Sequence, residues 1–115
     1  MHEIGIVESA LEIVLRQAGE RRAQRVERVV LRVGVLAGVE PEALRFAFDA
    51  LAHGTIAERA ALEIDPVAAW VRCAACGREF EAAADDFIFP CPACGDVRGE
   101  LRRGRELELS RIEMS

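Results

Sequence analysis

The stretch Cys73-Ala74-Ala75-Cys76, followed after fourteen residues by Cys91-Pro92-Ala93-Cys94, decides how this chain folds. The two pairs hold every cysteine present. A two-residue gap lets two thiolates converge on one ion while the backbone between them turns. Gly77 and Gly95 each follow the second cysteine of a pair, where such a turn needs positive φ. Four thiolates gathered this way make a closed tetrahedral shell, the geometry and ligand softness of structural zinc. The spacing is close to the zinc template, with a slightly short middle loop. Iron takes the same four-sulfur geometry, so ligand type alone leaves it open. A redox pair normally occurs once and beside a βαβ pattern, and two disulfides need an oxidising compartment. A full four-cysteine shell has no open position, so the expected metal staples a lobe and does no chemistry.

Around the pairs, Phe80, Phe87, Ile88 and Phe89 are the expected apolar cover, and Glu81 to Asp86 reads as a solvated loop. From Cys94 to Gly104 the chain is charged and glycine-punctuated. Leu107 and Leu109 then alternate as a strand. Ile112 and Met114 continue on the opposite phase, which predicts a bulge near Ser110-Arg111.

Upstream, apolar residues at Ile4, Val7, Leu11, Val14, Leu15 and Ala18 mark one face of a helix, with Gly19 as its stop. Val26 to Val35 reads as a strand, with Val29, Leu31, Val33 and Val35 on its buried face. Pro41 suits the first turn of a second helix whose stripe is Leu44, Ala47, Phe48 and Leu51 and which closes at Gly54. Leu62 to Ile64 starts another strand, which Pro66 confines to a sheet edge or a bulge. The expected class is α+β. A small mixed sheet of about three strands carries two helices, and a zinc-ribbon-like four-cysteine lobe is inserted in it. Residues 1–70, completed by a returning strand at 104–115, would form one domain, and 71–103 the metal lobe.

At 115 residues and net charge −5, the chain has a thin core and little affinity for a phosphate backbone. All fifteen basic residues are arginine, and no basic patch or set of stacking aromatics stands out. No apolar run is long enough to span a bilayer, and the first residues lack a signal-peptide pattern. The expected compartment is the cytoplasm, where thiols stay reduced.

The two histidines differ. His53 ends the second helix, where a cation suits the dipole, and reads as a cap or surface residue. His2 follows Met1 and precedes Glu3. An α-amine, an imidazole and the intervening amides can chelate one ion. Such a nitrogen-rich, nearly planar set favours Ni(II) or Cu(II). Taken alone, a histidine at position 2 belongs far more often to an ordinary flexible terminus.

The order Met1-His2-Glu3, helix, strand, helix, strand, Cys73-x-x-Cys76, Cys91-x-x-Cys94, in a chain this long, resembles the HypA/HybF family of nickel-insertion proteins for [NiFe]-hydrogenase maturation. The likeness extends to Glu27-Arg28-Val29-Val30 and Phe46-Ala47-Phe48. The resemblance implies a metallochaperone and not an enzyme, carrying transient Ni(2+) and structural Zn(2+). It maps the nickel ligands to Met1, His2 and Glu3, with His2 essential. It adds Glu40, which stands where the family has an aspartate before the second helix. The zinc ligands map to Cys73, Cys76, Cys91 and Cys94. The implied partners are the GTPase HypB and the hydrogenase large-subunit precursor. In some relatives urease accessory proteins join them. No nucleic acid or membrane is expected, and the protein is a monomer or dimer. Two other readings compete with it. One is a zinc-stapled interaction domain without transferable metal, and the other a zinc-ribbon module for nucleic acid. An enzyme fits least, because the chain has no nucleophile–base pairing and no phosphate-cradling glycine loop.

Overall fold

The computed structural model describes residues 3–82 and 88–115. The chain runs α1 (Glu3–Glu20), β1 (Val26–Gly34), α2 (Pro41–Ala52), β2 (Ala61–Val67), β3 (Ala69–Cys73), β4 (Glu79–Ala82), β5 (Gly99–Arg103) and β6 (Leu107–Met114). The strands form two three-stranded sheets, in the orders β2-β1-β6 and β4-β3-β5. The α+β class holds, and the last strand returns to the first sheet. The chain divides into two compact units. One comprises Met1–Arg32, Val39–Asp65 and Glu108–Ser115, the other Val33–Gly38 and Pro66–Leu107.

In the first unit, α1 buries Val7, Leu11, Val14 and Ala18, a stripe at helical spacing. Ile4 does not join it and is 62 % exposed. Gly19 does not stop the helix. The helix ends at Glu20, one residue on, and is closed by a turn in which Ala23 N–H donates to the Ala18 carbonyl (2.9 Å) and Arg22 N–H to that of Gly19 (3.1 Å). This pair of bonds needs a left-handed residue, and Arg22 takes it with φ +52°.

Helix α2 starts as expected, with Pro41 in its first turn and Glu40 accepting from Glu42 N–H as N-cap. Its buried side is Leu44, Ala47, Phe48 and Ala52. Leu51 is exposed, since Ala52 holds the inward position at the last turn. His53 is the C-cap and stays at the surface, its Nδ1 2.8 Å from Glu58.

Strand β1 is central. Arg28 pairs with Glu63 of β2 and Glu113 of β6, and Arg32 with Asp65 and Glu108. Exposed pairs of this kind add at most about 1 kcal/mol each, so they favour one register more than they add stability. The N–H groups of Arg25 and Gly34 both donate toward β6, to Ser115 and Glu106. Those positions are an odd number apart, and a strand with period two cannot do this unless its phase changes. Val29, Val30 and Leu31 are consecutively buried where it must. Ser115 and Glu106 are separated by the same odd interval, so β6 changes phase too. That accounts for the break in its apolar alternation. Pro66 lies within β2, an edge strand.

The second unit is built on β3, which pairs antiparallel with β4 and β5. Neither neighbour is marked by a long apolar pattern: β4 alternates over only four residues, and β5 does not alternate. Glu81 and Ala82, read as loop, end β4, and Gly99–Arg103 forms β5. The core here is small: Ala69, Val71 and Ala82, covered by Leu36, Phe80, Phe89 and Leu101. Ile88 is exposed and gives no cover, and Phe87 lies outside the described residues. Val33–Gly38 is fastened by backbone bonds. Val35 N–H donates to Val67 O (2.9 Å), and Leu36 N–H to Gly104 O (2.7 Å). The approach is so close that a Cβ on Gly34 would sit 2.1 Å from the Gly104 oxygen. Only a residue without a side chain fits there.

Candidate metal centre

Strand β3 delivers Cys73 at its last position, and the chain turns back at once. Gly77 N–H donates to Cys73 O (2.9 Å), and Cys73 N–H to Arg78 O (2.8 Å). The second pair repeats the pattern. Gly95 N–H donates to Cys91 O (2.8 Å), and Cys91 N–H to Asp96 O (3.0 Å). Gly77 and Gly95 both have φ +78°, as the cysteine spacing required. The two turns face each other, and all four sulfurs lie within 4.8 Å of one another.

The closest sulfurs are Cys73 to Cys94 at 3.6 Å and Cys76 to Cys91 at 3.7 Å. With metal–sulfur bonds of ~2.3 Å, a regular tetrahedron has edges of about 3.8 Å, so the set fits a zinc site. Cys73 and Cys91 are buried, and Cys76 and Cys94 are exposed. Sulfurs this close cannot all ionise without a cation among them. The Cys91 thiol is held below its usual range, chiefly by the Cys94 N–H. The Asp96 N–H pulls Cys94 down too, but the surrounding thiols, Cys73 first, outweigh it and push Cys94 up. Four acceptors of converging negative charge are a binding site for a soft cation.

Asp96 and Arg98 brace this centre, and the sequence reading passed over both. Arg98 grips Asp96 with two bonds, Nε to Oδ1 (3.1 Å) and an η-nitrogen to Oδ2 (2.9 Å). Its backbone N–H also donates to Oδ1 (2.8 Å), closing an Asx turn. The Arg98 carbonyl accepts from Ala74 N–H (2.8 Å), which ties the second cysteine turn to the first. Arg98 holds the Asp96 carboxyl down at about 2. Arg98 is itself held more firmly charged, mainly by Asp96 and further by Cys73 and Cys94. The legible signal was the Asp-x-Arg spacing directly after the second pair.

Of the residues expected to hold nickel, Met1 and His2 lie outside the described residues. Glu3 opens α1. Its Oε2 accepts the backbone N–H of Glu40 at 3.1 Å, so these two residues, far apart in sequence, meet where both helices begin.

A family model described as "Hydrogenase/urease nickel incorporation, metallochaperone, hypA" matches residues 1–114. The hydrogenase maturation factor HypA of Rhodopseudomonas palustris is 43% identical over 99% of both chains. That of Rhizobium leguminosarum is 40% identical, again over 99% of both. The solution structure of the Ni metallochaperone HypA from Helicobacter pylori superposes with a TM-score of 0.64 at 25% identity, covering 99% of this chain and 97% of that one. With a match along nearly its whole length and relatives at this identity, the chain belongs to the HypA family of hydrogenase/urease nickel-incorporation metallochaperones.

Proposed function

We propose that this chain is a nickel metallochaperone for hydrogenase maturation, carrying Ni(II) at its first three residues and zinc in its four cysteines. The observation that carries the reading is the family match across residues 1–114, which includes both the opening tripeptide and the cysteine pairs. It is a carrier and not an enzyme, as the family is.

The proposed nickel ligands are the Met1 amine, the His2 imidazole and the adjoining amides, with Glu3 and Glu40 at the rim. Chemistry supports that placement. α1 begins at Glu3, and the first N–H groups of a helix have no partner within it. Backbone amides at such a start can serve a chelate in place of a helix, and nitrogen donors in a plane suit Ni(II). The Glu3 carboxylate is held near by Glu40 N–H. A site at the start of a helix can also release its cargo without opening the core.

Zinc in Cys73, Cys76, Cys91 and Cys94 would be structural, a closed shell joining β3 to the second turn. The domain assignment follows: residues 1–70 with 104–115 for nickel, and 71–103 for zinc. The partners that go with the reading are a HypB-type GTPase, which supplies the nucleotide chemistry this chain has no motif for, and the hydrogenase large-subunit precursor. Urease accessory proteins are the second client class. No helix among the described residues is long and apolar enough to cross a membrane. The proposed compartment is the cytoplasm.

Calorimetry with Ni(II) on the zinc-loaded protein tests this. Three forms are compared: the native chain, His2→Ala, and a chain with one glycine added before Met1. The native chain should bind one nickel, and both variants should lose it. Equal binding by all three would remove the tripeptide as the site.

A further inference from the structure

Two backbone irregularities lie next to each other at the end of β5, and together they do something neither does alone. Opposite Trp70 stands Arg103, and opposite Val71 stands Leu101. Arg102 is therefore an extra residue, a bulge. In a regular strand Arg102 and Arg103 would point to opposite faces. The bulge lets both line one cleft. Gly104 follows at φ +129°, lying so close to Ala69 that a Cβ on it would sit 2.8 Å from the Ala69 Cα. That turn brings Arg105 to the same place. The resulting cleft has a volume of about 340 Å³ and is lined by Leu101, Arg102, Arg103, Arg105 and Glu106.

A chain of net charge −5 thus gathers three arginines and one glutamate around one opening, a local excess of positive charge. Arg103 is pinned, its guanidinium carbon 5.8 Å from the centre of the Trp70 ring. Arg105 is exposed at the surface, and Arg102 is exposed and paired with Glu100 at 3.1 Å, a surface ion pair that an incoming carboxylate can share or replace. Glu106 holds the Gly104 N–H at 2.8 Å and keeps the turn closed.

We propose that this cleft binds an acidic segment of a protein partner. Guanidinium groups match carboxylates in planar, two-point bonds. Nucleic acid fits less well. The one aromatic face at hand, Trp70, is covered by Arg103, so a base has nothing to stack on. The overall charge also opposes a long, dense phosphate backbone, while a short acidic segment meets only this local group of arginines. The bulge disfavours addition of a further strand along β5, so recognition runs through side chains.

Trp70 is the sole tryptophan and the chain has no tyrosine, so intrinsic fluorescence reports on this cleft. The full, zinc-loaded protein is titrated at low salt with a short acetylated peptide alternating glutamate and glycine. Parallel titrations use the glutamine counterpart, inorganic phosphate and a thymidine oligonucleotide. The glutamate peptide should give a saturable change that weakens with salt, and the glutamine peptide none. Arg105→Glu and Arg102→Glu should each weaken binding roughly tenfold or more, with zinc content and Ni(II) binding unchanged. Equal response to both peptides, or undiminished binding by the Arg105→Glu protein, overturns the proposal. Tighter saturation by phosphate or the oligonucleotide overturns it in favour of a phosphate site.

Discussion

The carboxylate of Glu3 accepts the backbone N–H of Glu40 at 3.1 Å, joining the start of one helix to the cap of the next. Glu40 caps α2 in turn by accepting from Glu42 N–H. Glu3→Ala should therefore cost about 1 kcal/mol, the usual loss of a helix-start acceptor. Glu3→Gln keeps an acceptor oxygen and should lose less. Urea midpoints measure both, and an unchanged midpoint for the alanine variant would show that the bond contributes nothing.

At the other end of α1, Arg22 occupies a left-handed conformation without being glycine. That backbone costs a side-chain-bearing residue about 1 kcal/mol. Arg22→Gly should recover most of it and raise Tm by roughly 4 °C. A fall in Tm would mean that the arginine side chain makes contacts worth more than the strain.

Gly34→Ala should be severe. Its Cβ would meet the backbone of Gly104 and Arg105 at 2.1 to 2.5 Å, and backbone cannot swing aside as a side chain end can. A loss of about 3 kcal/mol or more is expected in thermal unfolding. Gly38→Ala meets nothing within 4 Å and strains only its φ of +76°, so it should lose less. Equal losses would sink the argument from contact.

Metal removal should act on one unit. The second unit buries only small residues among those described, Ala69, Val71 and Ala82 with Val33 and Val67 and two of the cysteines, too small a core to hold three short strands unaided. Chelation under reducing conditions should abolish amide protection in β3, β4 and β5. Protection in α1 and α2, which bury Val7, Leu11, Val14, Leu44 and Phe48, should persist. Protection of β3 to β5 that survives chelation would show that the sulfurs are not what holds this sheet.

The Asp96–Arg98 fork makes a pH-specific statement. The Asp96 carboxyl is lowered from 3.8 to about 2 by the Arg98 bonds, so folding favours its charged form. Its contribution is fully present above 3.8 and is lost as pH falls from there through about 2. Carbon-detected NMR should find Asp96 titrating near the bottom of that range, and Arg98→Met, which keeps the backbone N–H to Oδ1, should raise it part of the way toward the ordinary carboxylate value. The same substitution should speed zinc transfer to a chelator at neutral pH, since the side-chain fork fixes the segment whose Arg98 carbonyl accepts from Ala74 N–H and so ties one cysteine turn to the other. Unchanged transfer would confine the fork to a surface ion pair.

What could be read without coordinates was what repeats locally. The cysteine spacing, the two helical stripes, the valine-rich strand and the glycines after each pair are short-range patterns, and each reflects a local geometric need. The break in apolar phase between Leu109 and Ile112 was visible for the same reason. Tertiary structure decided whatever depends on residues distant in sequence. β5 carries no apolar alternation, and in β4 only Phe80 and Ala82 alternate, too short a run to mark a strand without the hydrogen bonds that β3 supplies to both. Ile4 and Leu51 fit their stripes yet stay in water, because burial needs a neighbour and not only a period. Glu3 meeting Glu40 follows from two distant helix starts brought together, and the neighbours Arg102, Arg103 and Arg105 share one cleft only because β5 bulges against β3 and Gly104 packs on Ala69. Periodicity records which side of an element is apolar, while only the packed chain determines what that side, or a charged one, faces.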